Sequence, residues 1–372
     1  MKKILTIVLA LVLSLSFAAC GSSGANGDQS SGNSAESDVS GNDYPEMHLR
    51  LSSEWVPGYP FESEVLEPLQ AKLDDLTGGK LIIDYFPGNT LTTSAEALGA
   101  VAEGVVDIAI FPTAYVVGEL PVTFLVEYPQ KFNSSKAASF AMRDWLRELA
   151  PAEYERAGVS VLMCTTMGDA IIAHNADRSI TAMSDFQGLQ IRGNAVMIEA
   201  INAWGGTGVT VAMPDTYEAL RSGIINGSIA GADAISSFKW TEITKHATRL
   251  TVFNASFLMI IGDNTLAKLP SEWQTYLKDA CDEVFEESGC NFAERHGDAT
   301  YEDYAARGID VDFFDPDELD KLAAAAAPLL ENYAADLDSK GLDGAGALAL
   351  LREKADYYNN LYPDSENPYF AR

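Results

Sequence analysis

The chain has 372 residues, of which 25 are Lys or Arg and 54 are Asp or Glu, so its formal net charge at pH 7 is −29. This excess of negative charge repels phosphate backbones and anionic lipid head groups, which argues against nucleic-acid binding. With 47% hydrophobic residues, the composition is that of a globular protein with one or two sizeable cores. No apolar run reaches the ~18 residues of a membrane-spanning helix, so we expect no integral membrane domain.

The start of the chain has the pattern of an export signal. Lys2 and Lys3 precede a largely apolar run at 4–19 that ends in small residues, and this order is typical of a secretory signal peptide. The sequence SFAAC, which ends at Cys20, is similar to a bacterial lipobox, in which the cysteine is diacylated and becomes the mature N-terminus. We therefore predict a lipoprotein signal peptide over 1–19 and lipidation at Cys20.

The segment after this cysteine is polar and of low complexity. Residues 21–43 contain 18 Gly, Ser, Asn or Asp among 23 and no aromatic residue, so they cannot bury a core. We predict that 20–43 forms a disordered tether between a lipid anchor and the folded part. The alternative is an ordinary signal peptide with a chance cysteine near its end. The tether favours a lipid-anchored, extracytoplasmic protein at the cell surface or in the periplasm.

The remaining cysteines do not suggest disulfides. Cys281 and Cys290 lie in a helical pattern, ~13 Å apart at a rise of ~1.5 Å per residue, which is too far for a bridge. Cys164 lies in an apolar run that reads as a strand. We expect all three to be buried thiols.

From about residue 44 onward, strands alternate with helices. This alternation indicates an α/β fold with a parallel sheet covered on both faces. Strands are predicted at 48–54, 81–86, 105–111, 158–165, 169–174, 189–192, 208–212, 228–232, 248–253 and 256–261. Helices are predicted at about 60–76, 93–103, 135–148, 195–204, 214–222, 270–307 and 316–362. Long helices that follow an α/β body could strap two lobes together.

Motifs of known catalytic sites are missing from the sequence. None of the four histidines lies three or four residues from another histidine or from a cysteine, so the helical spacing of metal ligands is absent. No GxSxG, GxxxxGK[ST] or GxGxxG motif occurs. The acidic cluster at 315–318 fits a helix N-terminus, with Pro316 as its first residue. We predict no catalytic residue, no metal and no cofactor.

Several motifs in the middle of the chain follow one order. They are FQGLQIR at 186–192, AMPDTYEALRSGIINGS at 212–228 and SFKWTEITKHAT at 237–248. Together they resemble the DctP-type substrate-binding subunits of tripartite ATP-independent periplasmic (TRAP) transporters. The stretches TGGKLIIDYFPGNTL at 77–91 and EGVVDIAIF at 103–111 also resemble the first lobe of that family. The residues that match the three motifs are Asp185, Gly188, Ile191, Arg192, Tyr217, Ala219, Leu220, Gly223, Gly227, Lys239, Glu242 and Lys245.

This resemblance, which covers about 48–310, implies a two-lobed periplasmic-binding-protein-like (Venus flytrap) fold with long C-terminal helices bridging the lobes. We expect lobe I at 44–167 plus about 256–297, and lobe II at 168–255 plus about 298–372. The implied function is that of a monomeric receptor, not an enzyme. It would bind a small organic carboxylate and deliver it to the small and large membrane subunits of a TRAP transporter.

Arg192 is the first candidate for the ligand site. A guanidinium group offers a planar fork of donors that matches a carboxylate, and it stays charged when buried. An arginine that ends a short strand just before a helix can project into a cleft between lobes. The family resemblance implies the same role, that of the arginine that grips a substrate carboxylate.

Other ligand contacts of the family are replaced in this chain. The position of a second arginine falls near Ala170, that of the usual asparagine near Ala230, and that of a ligand-packing aromatic residue near Met213. Asp169 and Asp233 lie close by in sequence. We therefore expect a monocarboxylate with an apolar, aromatic or amino-bearing remainder that either aspartate could meet. Both aspartates could instead form turns or helix caps.

Aromatic side chains supply further candidates. Trp55 and Tyr59 follow the first strand and Phe111 ends another, at the carboxyl ends of strands where α/β lobes present ligand-facing loops. Trp240 could flank the cleft. The other tryptophans lie in helical patterns and are predicted to be core: Trp145, Trp204 and Trp273.

Two other functions remain open at this point. A receptor for an ATP-driven importer would share the two-lobed architecture and the lipid anchor. A hydrolase anchored at the cell surface would need a nucleophile, a metal site or an acid pair that the sequence does not reveal.

Overall fold

The computed structural model describes residues 44–128, 132–168, 170–250, 252 and 255–363. Its strands form one sheet of five and one of six strands. The strands are β1 (Met47–Ser53), β2 (Leu81–Phe86), β3 (Ile108–Pro112), β4 (Val159–Thr166), β5 (Ala170–His174), β6 (Gln190–Arg192), β7 (Thr207–Val209), β8 (Gly227–Gly231), β9 (His246–Leu250), β10 (Ser256–Gly262) and β11 (Val311–Phe313).

The strand order in the first sheet is β2-β1-β3-β10-β4, and in the second it is β11-β9-β5-β8-β6-β7. In the first sheet, β1 pairs in parallel with β2 and β3, as the alternation of strands and helices predicts. In the second sheet, β6 pairs in parallel with β7 and β8. The carboxyl ends of these parallel strands are the places where an α/β protein presents its binding loops.

Both sheets are mixed, whereas the sequence predicts parallel strands. β10 runs antiparallel between β3 and β4, and β5 runs antiparallel between β8 and β9. The chain passes from one sheet to the other directly after β4 and again after β9, and the links at 167–169 and 251–255 are too short for the helical crossover that a parallel connection needs. An apolar run such as VSVLMC at 159–164 indicates that a strand is buried but not which way it runs.

The described helices cover most of the predicted helical segments. They are α1 (Glu67–Thr77), α2 (Ala97–Ala102), α3 (Ser135–Leu149), α4 (Pro151–Ala157), α5 (Ala195–Ala203), α6 (Thr216–Arg221), α7 (Ala232–Ser237), α8 (Asp263–Leu266), α9 (Ser271–Val284), α10 (Phe292–His296), α11 (Asp298–Ala306), α12 (Pro316–Ser339) and α13 (Gly344–Leu361).

Two long helical predictions are interrupted in the structure. The segment 270–307 is divided into α9, α10 and α11, with a π-helical turn at Phe285–Gly289 and an extended φ of −146° at Asn291. The segment 316–362 breaks after α12, where Gly341 has a φ of +78° that favours glycine. Asp343 then caps α13 by accepting a hydrogen bond from the backbone N–H of Gly346.

The last two helices are attached to helices of both sheets. α12 packs against α5, which lies on β7, and α13 packs against α3, which lies on β4. The indole N–H of Trp204 donates to the carbonyl oxygen of Leu322 in α12 at 3.0 Å. The indole N–H of Trp145 donates to the carbonyl oxygen of Ala347 in α13 at 2.8 Å. The predicted C-terminal helices therefore link the two halves of the fold.

Core predictions for tryptophan and cysteine are confirmed. Trp145, Trp204 and Trp273 are each no more than 2% exposed. The cysteines predicted to be buried thiols are buried: Cys164, Cys281 and Cys290.

A close backbone contact at Gly262, where β10 meets α2, can be tested by substitution. A methyl group on Gly262 would lie 2.6 Å from the carbonyl oxygen of Val101. Because overpacking of this kind costs ~1–3 kcal/mol, we expect Gly262→Ala to lower the free energy of unfolding by about that amount, as measured by urea denaturation.

Gly99→Ala is the matched control. Gly99 is an exposed residue of α2, the helix that contains Val101, and no atom lies within 4 Å of the methyl group that alanine would add. Alanine is the better helix former by ~0.5–1 kcal/mol, so this substitution should raise the free energy of unfolding. If both substitutions changed it alike, the close contact at Gly262 would not be real.

Candidate functional site

A cavity of about 50 Å³ lies between the two sheets. Residues from the first sheet and its loops form one wall, and residues at the ends of β6 and β8 in the second sheet form the other. Its polar side chains are Glu54, Tyr59, Tyr115, Arg192, Asn194 and Asp233.

A larger cavity of about 400 Å³ lies beside the outer edge of β4. Both of its arginine side chains are already paired: Arg143 contacts Asp144 at 3.0 Å and Glu286 at 3.1 Å, and Arg147 contacts Asp282. The cavity between the sheets, where the polar side chains converge, is therefore the candidate functional site.

Arg192 is the last residue of β6, and it is only 7% exposed. Its Nε donates to the carbonyl oxygen of Val211 at 2.9 Å, which fixes the plane of the guanidinium group. Burial lowers the pKa of Arg192 from its usual value, while Tyr115 and Glu54 oppose that shift. Since an arginine ordinarily titrates above pH ~12, the group stays charged at neutral pH.

Glu54 follows β1 and is also buried, at 6% exposure. The hydroxyl of Ser94 donates to Glu54 Oε2 at 2.7 Å. Burial raises the pKa of Glu54, and the Ser94 hydrogen bond and the charge of Arg192 both lower it. The cavity therefore already holds a carboxyl group that interacts with the guanidinium group.

Tyr59 and Asp233 form a hydrogen bond that crosses the cavity region. The hydroxyl of Tyr59 donates to Asp233 Oδ2. The ring of Tyr59 is stacked on that of Trp55, with centroids 4.8 Å apart and planes 3° from parallel. Asp233 is 2% exposed, and burial raises its pKa to about 6 although the Tyr59 hydrogen bond lowers it.

Asn194 occupies the N-cap position of α5, but its side chain makes no capping hydrogen bond. Instead its Nδ2 donates to Glu127 Oε2 at 3.2 Å. Glu127 also accepts hydrogen bonds from the Thr113 hydroxyl and from the backbone N–H of Ser256. Burial raises the pKa of Glu127 to about 7, against the effect of these three donors.

The structure brings five of the predicted ligand residues together at the cavity. All five line its wall: Trp55, Tyr59, Arg192, Met213 and Asp233. Asp169 and the predicted lipidation site Cys20 lie outside the described residues.

Phe111 and Trp240 were predicted at the site but pack in the core. Successive residues of β3 point to opposite faces, so that Pro112 lines the cavity while the ring of Phe111, 1% exposed, is buried on the other side. Trp240 begins a 3₁₀ turn that directs its ring inward near Phe238, where it is 0% exposed. The structure therefore places neither residue in the wall of the cavity.

Three polar residues that line the cavity are not among the site residues predicted from the sequence. Glu54 immediately precedes Trp55, Asn194 comes two residues after Arg192, and Tyr115 follows the end of β3. Each of them lies next to a carboxyl end of a strand that the sequence does indicate. That position is the signal that could have identified them.

The protein-family model that matches this chain is DctP, the bacterial extracellular solute-binding protein family 7, and it matches residues 51–336. The chain belongs to this family. The resemblance inferred from the three motifs is thereby confirmed. None of the described helices is both long and apolar enough to cross a bilayer.

Relatives with assigned names are distant. The C4-dicarboxylate-binding periplasmic protein DctP of Rhodobacter capsulatus is 24% identical over 218 residues, which are 56% of this chain and 65% of that protein. The 2,3-diketo-L-gulonate-binding periplasmic protein YiaO of Escherichia coli is 22% identical over 57% of this chain and 65% of its own length. The match thus spans slightly less than two thirds of each relative.

Solved structures match over nearly their whole length. A TRAP solute-binding protein from Rhodoferax ferrireducens in complex with copurified benzoate has a TM-score of 0.78 at 19% identity, and the match covers 85% of this chain and 99% of that one. The predicted two-lobed α/β fold is therefore confirmed. The family and these structural neighbours are solute-binding proteins and not enzymes, as the sequence indicates.

The raised pKa of Asp233 predicts a pH-dependent stability difference. The ordinary pKa of 3.8 applies to the unfolded chain and a value of about 6 to the folded protein. Between these values the folded form binds more protons, so this residue makes the free energy of unfolding rise as the pH falls from about 6 to about 4. Asp233→Asn removes that contribution and keeps an acceptor for Tyr59. The stability of the variant relative to wild type should therefore decrease as the pH is lowered through this range, as measured by urea titrations of ligand-free protein.

Asp177→Asn serves as the control, because Asp177 is exposed beyond the far end of β5. The difference in the free energy of unfolding between Asp177→Asn and wild type should change little over the same pH range. A flat difference curve for Asp233→Asn would show that Asp233 titrates normally.

Proposed function

We propose that this protein is an extracytoplasmic receptor of a TRAP-type secondary transporter that binds a small organic carboxylate between its lobes, with Arg192 as the carboxylate clamp. The observation that carries this proposal is the buried guanidinium group in the wall of the cavity between the two sheets. Among the described residues of that wall, Arg192 is the only permanent cation. A charge in such a water-poor place acts more strongly on an anion than it would in water.

The apolar part of the wall supports a flat or apolar remainder on the ligand. Trp55 and Tyr59 form a stacked pair, and three methionines supply an adaptable surface beside them: Met167, Met197 and Met213. Structural neighbours hold ligands of this kind. One is the benzoate complex described above, and another is a Bordetella bronchiseptica TRAP solute-binding protein with bound mandelate, which is 25% identical with a TM-score of 0.69 over 84% of this chain and 99% of that one.

The proposed lobes are 44–167 plus about 256–297, and 168–255 plus about 298–372. The chain crosses between the sheets near residues 167 and 255, where the N–H of Met167 donates to the carbonyl oxygen of Ala255 at 2.9 Å. Two adjacent crossings of this kind suit a hinge. The Tyr59–Asp233 bond joins groups from the two lobes, and so does the Asn194–Glu127 bond. Ligand binding would close the lobes over the carboxylate.

Delivery to membrane subunits completes the proposed function. The closed receptor would dock on the small and large TRAP subunits, and uptake would be driven by an ion gradient. Reconstituted uptake of the ligand into proteoliposomes should depend on this receptor and on a sodium or proton gradient, and it should proceed without ATP. Uptake that requires ATP would instead identify the receptor of an ATP-driven importer.

The clamp can be tested with Arg192→Gln and Arg192→Lys. A ligand at ~100-fold its Kd stabilises a protein by ~2.7 kcal/mol, which for a protein of this size shifts Tm by ~2–4 °C. We expect benzoate, mandelate or another small carboxylate to stabilise the wild type in this way. Since removing one partner of a buried charge pair costs ~2–5 kcal/mol, Arg192→Gln should lose ~30-fold or more in affinity by calorimetry. Arg192→Lys keeps the positive charge but loses the planar pair of donors, so its affinity for the carboxylate should lie between those of wild type and Arg192→Gln.

Arg178→Gln is the matched control. Arg178 is exposed and pairs with Asp185 on the surface at 3.0 Å, so its loss should leave carboxylate affinity unchanged. Carboxylate binding that is indifferent to Arg192, or binding confined to neutral sugars, would contradict the clamp.

The lipid anchor proposed at Cys20 has its own test. Cys20→Ser should move the protein from the membrane fraction to the soluble extracytoplasmic fraction, because a serine cannot carry the thioether-linked lipid. The measurement is fractionation followed by metabolic labelling with a fatty acid. Equal labelling of wild type and variant would contradict lipidation at this residue.

A further inference from the structure

Two buried oxygen atoms at the cavity lack hydrogen-bond donors. Within the described part of the chain, neither Asp233 Oδ1 nor Asn194 Oδ1 has a partner, and both residues line the cavity. Buried polar atoms are nearly always paired in folded proteins, so each exception needs an explanation. A ligand that brings its own N–H donors would satisfy both oxygens.

The orientation of Asn194 is set by its neighbour. In the structure the Asn194 amide turns its Nδ2 toward Glu127 Oε2, and an ionised Glu127 requires this orientation because a carboxylate only accepts hydrogen bonds. The Oδ1 is then left on the other side of the amide. An asparagine at an N-cap normally uses this oxygen to accept a hydrogen bond from its own helix, but here it does not.

The carboxylate of Asp233 is also oriented by a hydrogen bond from a neighbouring side chain. Its Oδ2 accepts the hydrogen bond of Tyr59, and this bond fixes the carboxylate plane. The backbone N–H groups of Asp233 and Ala234 lie near enough to favour its charged form, yet Oδ1 remains without a hydrogen bond. The position of this oxygen is therefore determined before any ligand arrives.

The charges at the cavity also favour a ligand that carries a positive group. Arg192 already interacts with Glu54, and Asp233 adds a second carboxyl group. A ligand that carried only a carboxylate would be the third carboxyl group at a cavity whose wall, among the described residues, has one permanent cation. Buried charges are stable only when they are paired, so a positive group on the ligand would restore much of the balance.

From these observations we infer that the ligand is a zwitterion: its carboxylate binds Arg192, and a protonated amine with N–H donors binds Asp233 Oδ1 and Asn194 Oδ1, with Glu54 completing the negative surroundings. This inference rests on the proposed function, because Arg192 supplies the carboxylate site. The ligand class is therefore that of amino carboxylates with a small apolar or aromatic remainder.

The experiment compares ligands that share a carbon skeleton. Calorimetry of the ligand-free protein uses phenylglycine, mandelate and phenylacetate as one set, and alanine, lactate and propanoate as another. A third set is butyrate with its 2-, 3- and 4-amino derivatives. The amino member of at least one set should bind at least tenfold more tightly than its hydroxy or unsubstituted counterparts.

A variant tests the residue that would hold the amine. In Asp233→Asn the affinity ratio between the amino ligand and its counterpart should fall at least tenfold. Asp177→Asn removes the same charge from the surface and should keep the ratio of the wild type. Should Asp233→Asn fail to fold, the N-trimethyl derivative of the best amino ligand gives a second test on the wild type. That derivative keeps the positive charge but has no N–H donor, so it should bind at least tenfold more weakly.

The possible outcomes distinguish this inference from the proposed function on which it rests. If carboxylates bind through Arg192 but their amino forms bind no more tightly, or if the trimethylated form binds as well as the amine, the ammonium site is refuted and the receptor function stands. If no member of any set binds, or binding ignores Arg192→Gln, the carboxylate receptor is refuted and the ammonium site with it.

Discussion

A guanidinium group can be buried between two sheets only if its surroundings replace the water that it loses. Around Arg192 this is done by a backbone carbonyl from Val211, by Tyr115 and by the carboxyl group of Glu54. These groups come from distant parts of the chain, so the charge is accommodated only when both sheets are in place. The cavity, its polar lining and the contacts across it can be understood as the environment that this buried charge requires.

The same environment contains carboxyl groups whose burial is energetically unfavourable. Glu54, Glu127 and Asp233 all have raised pKa values because they are buried. Each of these carboxyl groups would be better solvated in water, and each accepts hydrogen bonds from neutral donors such as Ser94 and Tyr59. A protein selected for stability alone would place apolar residues at these positions. Their presence beside the cavity is the expected trade-off at a binding site.

The sequence predicted most strands and helices because their apolar patterns are long and clear, and family motifs identified Arg192. It could not predict strand direction, nor which residues of β3 face the cavity, because every residue of β3 is buried. A strand buried on both faces has no alternation to indicate which side meets the cavity. For Glu54 and Asn194 the sequence indicates the position at a strand end but not the contacts, because their partners Ser94 and Glu127 lie far away in the chain.

The two indole hydrogen bonds to α12 and α13 have a mechanical consequence. Trp204 donates to α12 and Trp145 to α13, and the hydroxyl of Tyr333 in α12 also donates to the carbonyl oxygen of Pro121, which follows β3. Near its start α12 is thus bonded to the residue that ends α5 on the second sheet, and farther along it is bonded to the segment after β3 of the first sheet. A rotation of one half against the other would therefore load α12 itself and its contacts, and not only the short turn near Gly341.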